Sequence, residues 1–146
     1  MKRDIESRAD IDYLMKEFYA RAIADENIGY IFTDVAQLDL EKHLPVIGDF
    51  WESLLLGAKN YQVHGRNPLQ IHAALSEKTP LRTEHFRRWL EIFYSTVDKN
   101  FAGPRADFAK SRAEAIANRM LNFIRKVPDA NFMDRENPVK LRSNRG

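Results

Sequence analysis

At 146 residues the chain is sized for one domain around a single core, and its 44% hydrophobic and 30% charged content is that of an ordinary soluble fold. No apolar run nears the roughly 20 residues that cross a bilayer. The polar start MKRDIESRAD carries no export signal, and cysteine is absent, so a cytoplasmic protein without membrane contact or disulfides is expected. A formal net charge of +2, from 23 basic and 21 acidic side chains, is too small and too mixed to imply nucleic-acid binding.

From Ser7 to Asp25 the apolar residues Ile11, Leu14, Met15, Phe18, Tyr19, Ala22 and Ile23 recur at three- and four-residue steps, which predicts a helix with one buried face. The stretch NIGYIFTDVAQLD then packs Ile28, Tyr30, Ile31, Phe32 and Val35 into a corner of one or two helical turns. A second long helix runs from about Asp39 to Leu56, with Leu40, His43, Leu44, Ile47, Trp51, Leu54 and Leu55 on the helical period and Gly57 placed to end it. Pro45 is expected to perturb its early part, because proline removes an amide donor and crowds the preceding turn.

The segment GAKNYQVHGRN reads as a loop. Asn67 and Pro68 resemble a cap and first helical position, opening a short helix that carries His72. Thr83 can cap a third long helix with buried face Phe86, Trp89, Leu90, Phe93, Val97 and Phe101. Gly103 and Pro104 separate it from a last helix, Pro104 to Val127, with Ala106, Ala109, Ala113, Ile116, Met120, Leu121, Ile124 and Val127 on its inner side. Residues 128–146 form a polar, aperiodic tail expected to be partly mobile, which leaves 1–127 as the domain. The fold class is all-α, a small bundle or a globin-like sandwich.

Several chemistries lack their motif. No Glu-x-x-His pair supplies a di-iron bundle, and there is no His-Glu-x-x-His, no Gly-x-Ser-x-Gly elbow and no glycine-rich phosphate loop. What remains is His72, His43, Tyr19 and Trp89, each on an apolar helical face. Each has a purely structural reading as a core residue with its polar atom satisfied locally. Together they ask a small core to partner two imidazoles, a phenol and an indole N–H, at about 1–3 kcal/mol for each group left unmet. A haem would meet that demand, because its iron takes one imidazole while apolar side chains bury the macrocycle. His72, on its own short helix, is the better candidate for the iron bond. His43, 29 residues earlier on another helix, can face the opposite side of the same plane. Tyr19, Trp89 and His43 then become donors toward a partly anionic diatomic ligand.

The stretches LMKEFYARAIADENIGYIF, HLPVIGDFWESLLLG, NPLQIHAAL and HFRRWLEIFYSTVDKNFAGPRADFAKSRAEAIA, in this order and with Trp89 seventeen residues after His72, resemble the group III truncated haemoglobins. These are short globins with a two-over-two helical sandwich. The resemblance covers about Ile5 to Val127, and the lack of a Gly-Gly pair also fits that group. It implies haem b, with His72 as iron ligand and Tyr19, His43 and Trp89 lining the distal pocket. It further implies Phe32 against the haem face and Ile47 closing the pocket with apolar bulk. Arg66 is a propionate partner by location alone. The loop NYQVHGRNP is about two residues longer than the family pattern, which leaves His64 between a loop role and a place near a propionate. His85 reads as a surface or supporting residue.

The function expected is binding of dioxygen, nitric oxide or carbon monoxide for oxygen or nitric oxide redox chemistry, whether dioxygenase-like or peroxidase-like, with a reductase as a partner such chemistry allows. Oxygen sensing or storage without turnover, or a cofactor-free helical interaction module, are the alternatives.

Overall fold

The computed structural model describes residues 2–58 and 81–124, with side chains to residue 122. The expected His72 helix, the loop with His64 and Arg66, and the polar tail lie outside these residues. Four long helices make up the described fold, with no strand among them: α1 (Arg8–Ala24), α2 (Leu40–Leu56), α3 (Thr83–Asn100) and α4 (Pro104–Ile124). Helix α1 packs on α2 and α3 packs on α4, while α1 and α3 join the two pairs into a sandwich.

Ser7 opens α1 with a capping box, its hydroxyl taking the Asp10 N–H while the Asp10 carboxylate takes the Ser7 N–H. The buried face of α1 is Ile11, Leu14, Met15, Phe18, Tyr19 and Ala22. Asp39 caps α2, and Gly57 ends it in the left-handed region at φ 79°. The helix continues through Pro45 without a break. Only Gly48, Trp51 and Leu55 of α2 are fully buried; Leu40, His43, Leu44, Ile47 and Leu54 are half-buried, so its apolar side is only partly covered. On α4 the buried stripe is four alanines, Ala106, Ala109, Ala113 and Ala117, followed by Leu121, and the helix packs on α3.

Two local expectations change. The corner before α2 is a π-helix, Ile31–Val35, in which the Ala36 N–H reaches back five residues to the Ile31 carbonyl at 2.8 Å. At α3, the capping residue is Arg82 rather than Thr83; its N–H donates to His85 Nδ1 at 3.0 Å.

The opening residues strap the far end of the molecule. The Arg3 carbonyl accepts from the Ala102 N–H, Ile5 is fully buried, and the Asp4 carboxylate accepts from the N–H groups of Arg105 and Ala106, both at 2.9 Å. Asp4 thus satisfies the first turn of α4 from a hundred residues away. A Cβ at Gly103, which sits at φ 143°, would lie 2.6 Å from the Asp4 side chain.

Candidate functional site

Consecutive residues on a helix point about 100° apart, and α1 uses that angle to serve two neighbours at once. Phe18 turns toward α3, in edge-on contact with Trp89 (5.7 Å between ring centres) and Phe93 (5.4 Å). Tyr19 turns toward α2 and the π-helical corner, edge-on to His43 at 5.1 Å and to Phe32 at 6.0 Å. The Tyr19 hydroxyl and His43 Nε2 are 2.9 Å apart, a hydrogen bond whose direction follows the imidazole tautomer. Tyr19 is buried at 7% exposure, and burial pushes the pKa of its phenol up, so it keeps its proton at neutral pH.

The spacing of Tyr19 and His43 depends on the register of α1 against α2. Gly48 permits the approach: a Cβ there would meet Arg8 Nη2 at 2.7 Å and Asp12 Oδ1 at 2.9 Å. Arg8 then clamps the pair. Its Nε donates to Asp12 at 2.8 Å, its Nη1 to Asp49 at 2.6 Å and to Glu52 at 2.8 Å, and its Nη2 to the Pro45 carbonyl at 3.2 Å. Arg8 is only partly exposed, so these contacts are screened less than surface pairs. On the other side of α1, the buried Asp25 carboxylate holds α3 through Arg88 at 2.7 Å and fixes the corner by accepting from the N–H groups of Asn27 and Ile28.

Of the residues singled out from sequence, Tyr19, His43 and Phe32 come together directly, and Trp89 is linked to Tyr19 through Phe18. Ile47 sits on α2 one turn after His43, half-buried against the core. His72, Arg66 and His64 fall outside the described residues. His85 lies apart from this group, in an open polar pocket of about 410 Å³ shared with Asn27, Glu84, Arg87, Arg88 and Glu91. Sequence periodicity assigned Trp51 and Phe93 only to buried faces, yet they extend the aromatic group: Phe93 stacks on Trp89 (5.8 Å, 17°) and on Trp51 (5.1 Å, 23°). The Trp89–Phe93 spacing of one helical turn was the available signal; the Trp51 contact crosses between helices and had none.

No family model matches the chain. It is 28% identical over 129 residues to the group 3 truncated hemoglobin ctb of Campylobacter jejuni, covering 86% of this chain and 97% of that protein. The crystal structure of a group III truncated hemoglobin from Campylobacter jejuni superposes with a TM-score of 0.71 at 28% identity, over 85% of this chain and 95% of that one. The resemblance to group III truncated haemoglobins therefore holds in sequence and in fold, and the architecture is the all-α, globin-like two-over-two sandwich.

Proposed function

We propose that the chain is a haem protein that binds a diatomic ligand such as dioxygen, nitric oxide or carbon monoxide and uses it in oxygen or nitric oxide redox chemistry. Likeness to a truncated haemoglobin supports the haem. The observation that carries the finer reading is the buried Tyr19 phenol bonded to the half-buried His43, 2.9 Å from hydroxyl to ring nitrogen, on the half-covered apolar side of α2.

The residues fit the group. Among the described residues no three His, Asp or Glu side chains gather to hold a metal ion, whereas a haem needs one imidazole from the chain and apolar walls. His72 would supply that imidazole, Phe32 and Ile47 the apolar walls, and Arg66 a cation for a propionate. A chain without cysteine has no thiol for covalent attachment, which favours haem b. When bound, the haem supplies an iron centre at which a diatomic molecule is held and reduced.

The chain's part is to place protons. The Tyr19 O–H stays protonated because burial disfavours the phenolate. With the His43 proton on Nδ1, Tyr19 donates to Nε2; with it on Nε2, the imidazole donates to the phenol oxygen and the Tyr19 proton turns to a third group. The pair thus offers one donor or withholds it, by a tautomer change alone. The Trp89 indole N–H is a further donor that does not titrate. Each charge-assisted bond of this sort is worth about 1.5–3 kcal/mol, and every 1.4 kcal/mol is about tenfold in residence. Several such donors slow release, which suits chemistry better than delivery. Turnover draws its electrons from a reductase or a small reductant.

Purified protein supplemented with haem is expected to show a Soret band that His72→Ala loses while remaining helical by circular dichroism. A chain that stays colourless overturns the reading in favour of a cofactor-free helical module. Consumption of nitric oxide by the aerobic protein distinguishes redox turnover from sensing or storage.

A further inference from the structure

The chain has two tryptophans, Trp51 and Trp89, and both stand in one file of touching rings. Trp51 on α2 and Trp89 on α3 both stack near-parallel on Phe93. Trp89 meets Phe18 edge-on, and Phe18 meets Tyr19 edge-on at 5.0 Å. Tyr19 ends the file with its hydroxyl on the His43 imidazole. Packing alone would be served by leucine or phenylalanine at most of these positions. The file instead alternates side chains that can be oxidised (Tyr19, Trp89, Trp51) with phenylalanines that cannot readily be oxidised but bridge them at van der Waals distance. Its tyrosine end has a base in place for its proton.

We propose that Tyr19, Trp89 and Trp51 form an electron relay that carries single oxidising equivalents away from the Tyr19–His43 site through Phe18 and Phe93, so that peroxide is reduced without damage at that site. Tyr19 gives up one electron and passes its hydroxyl proton along the 2.9 Å hydrogen bond to His43, leaving a neutral tyrosyl radical and an imidazolium. An electron from Trp89 refills Tyr19, which takes its proton back from His43, and an electron from Trp51 then refills Trp89. Trp51 is 3% exposed, so its oxidised form takes an electron across the protein surface, without direct contact, from a thiol or ascorbate in solution, which also releases the matching proton and draws the outward transfer to completion. Reduction of one peroxide to two waters uses two electrons and two protons, so the relay runs twice and is itself unchanged. This rests on the haem reading only for where peroxide reacts; the relay belongs to the chain.

Pulse radiolysis of the purified protein with azide radicals, which oxidise tryptophan first, tests the relay with or without haem. Oxidation begun at tryptophan runs the same couplings in reverse, so the expected result is a tryptophan radical that decays as a tyrosyl radical grows at a rate independent of protein concentration; the outward direction is read with peroxide. Tyr19→Phe should abolish that growth and Trp51→Phe should alter its rate several-fold. With haem loaded and peroxide added, Trp51→Phe should also shift oxidative modification, mapped by mass spectrometry, toward Tyr19 and Trp89. Tyrosyl growth unchanged in Tyr19→Phe, or kinetics and modification patterns in Trp51→Phe that match the unaltered protein, would overturn the relay. Absence of a Soret band with intact radical transfer would instead fail the haem reading and leave the relay standing.

Discussion

Tyr19 owes its place to the residue before it. Phe18 is pinned between Tyr19, Trp89 and Phe93, so the phenol cannot turn back toward α3 and meets His43. Tyr19→Phe keeps those ring contacts and removes only the hydroxyl. Its expected effect on folding is about 1 kcal/mol, the net worth of one hydrogen bond, read as a shift in denaturant midpoint. On the haem-loaded protein the oxygen dissociation rate should rise several-fold by stopped flow; an unchanged rate would remove the phenol from ligand binding. Tyr19, His43 and Trp89 were legible in the sequence because each is an amphipathic side chain on an otherwise apolar helical face. Their separation was not legible, since it is set by Arg8 reaching Asp49 and Glu52 across a glycine, a pairing that no spacing along the chain announces.

The helices carry their own lesson about what periodicity reads. It located α1 to within a residue at each end, because a capping serine and a regular apolar face agree there. It read the corner as ordinary helical turns, since five residues are too few to separate a π-helix from an α-turn by pattern. It passed over Ala117, whose methyl adds little to a hydrophobic pattern yet is buried in the core. At α3 the cap works through histidine. Burial lowers the His85 pKa below the usual 6.5, the nearby Glu84 opposes this and Arg82 adds to it, and Nδ1 must be unprotonated to accept the Arg82 N–H. Above pH 6.5 both folded and unfolded chains hold it neutral, and the stabilisation is complete. As pH falls below 6.5 the unfolded chain takes up a proton that the fold resists, and stability declines. Thermal midpoints measured from pH 7.5 to 5 should drop with acid, and His85→Gln should flatten that part of the profile.

Across the whole molecule, the two helix pairs are tied together by charges at their ends as well as by the aromatic core. Arg3 holds Asp10 in a two-pronged pair that brings the carboxyl down to about 2, with burial opposing and the Glu6 and Ser7 N–H groups assisting. Since the folded value lies below the ordinary 3.8, this stabilisation is present above that pH and is lost as pH falls toward 2. Asp4 behaves alike in direction: burial works against its charge, but the N–H groups of Arg105, Ala106 and Ile5 outweigh it and lower its pKa. Asp4→Ala removes a helix cap and should destabilise by about 1 kcal/mol, with Asp4→Asn recovering part of it. Equal stability of Asp4→Ala and the parent in urea would show that α4 does not depend on the strap. The all-α class was legible from four amphipathic stretches, and the two-over-two arrangement from the family resemblance. The strap was not, because Asp4 and Ala106 are 102 positions apart and nothing local marks either for the other.

That separation sets an order of events at the ribosome. Asp4 is made before the amides it will hold, by about 5–20 s at ordinary rates of synthesis, so the nascent chain carries an unclosed carboxylate throughout that interval. The sandwich is latched by residues made ahead of α1 only after α4 has begun to emerge.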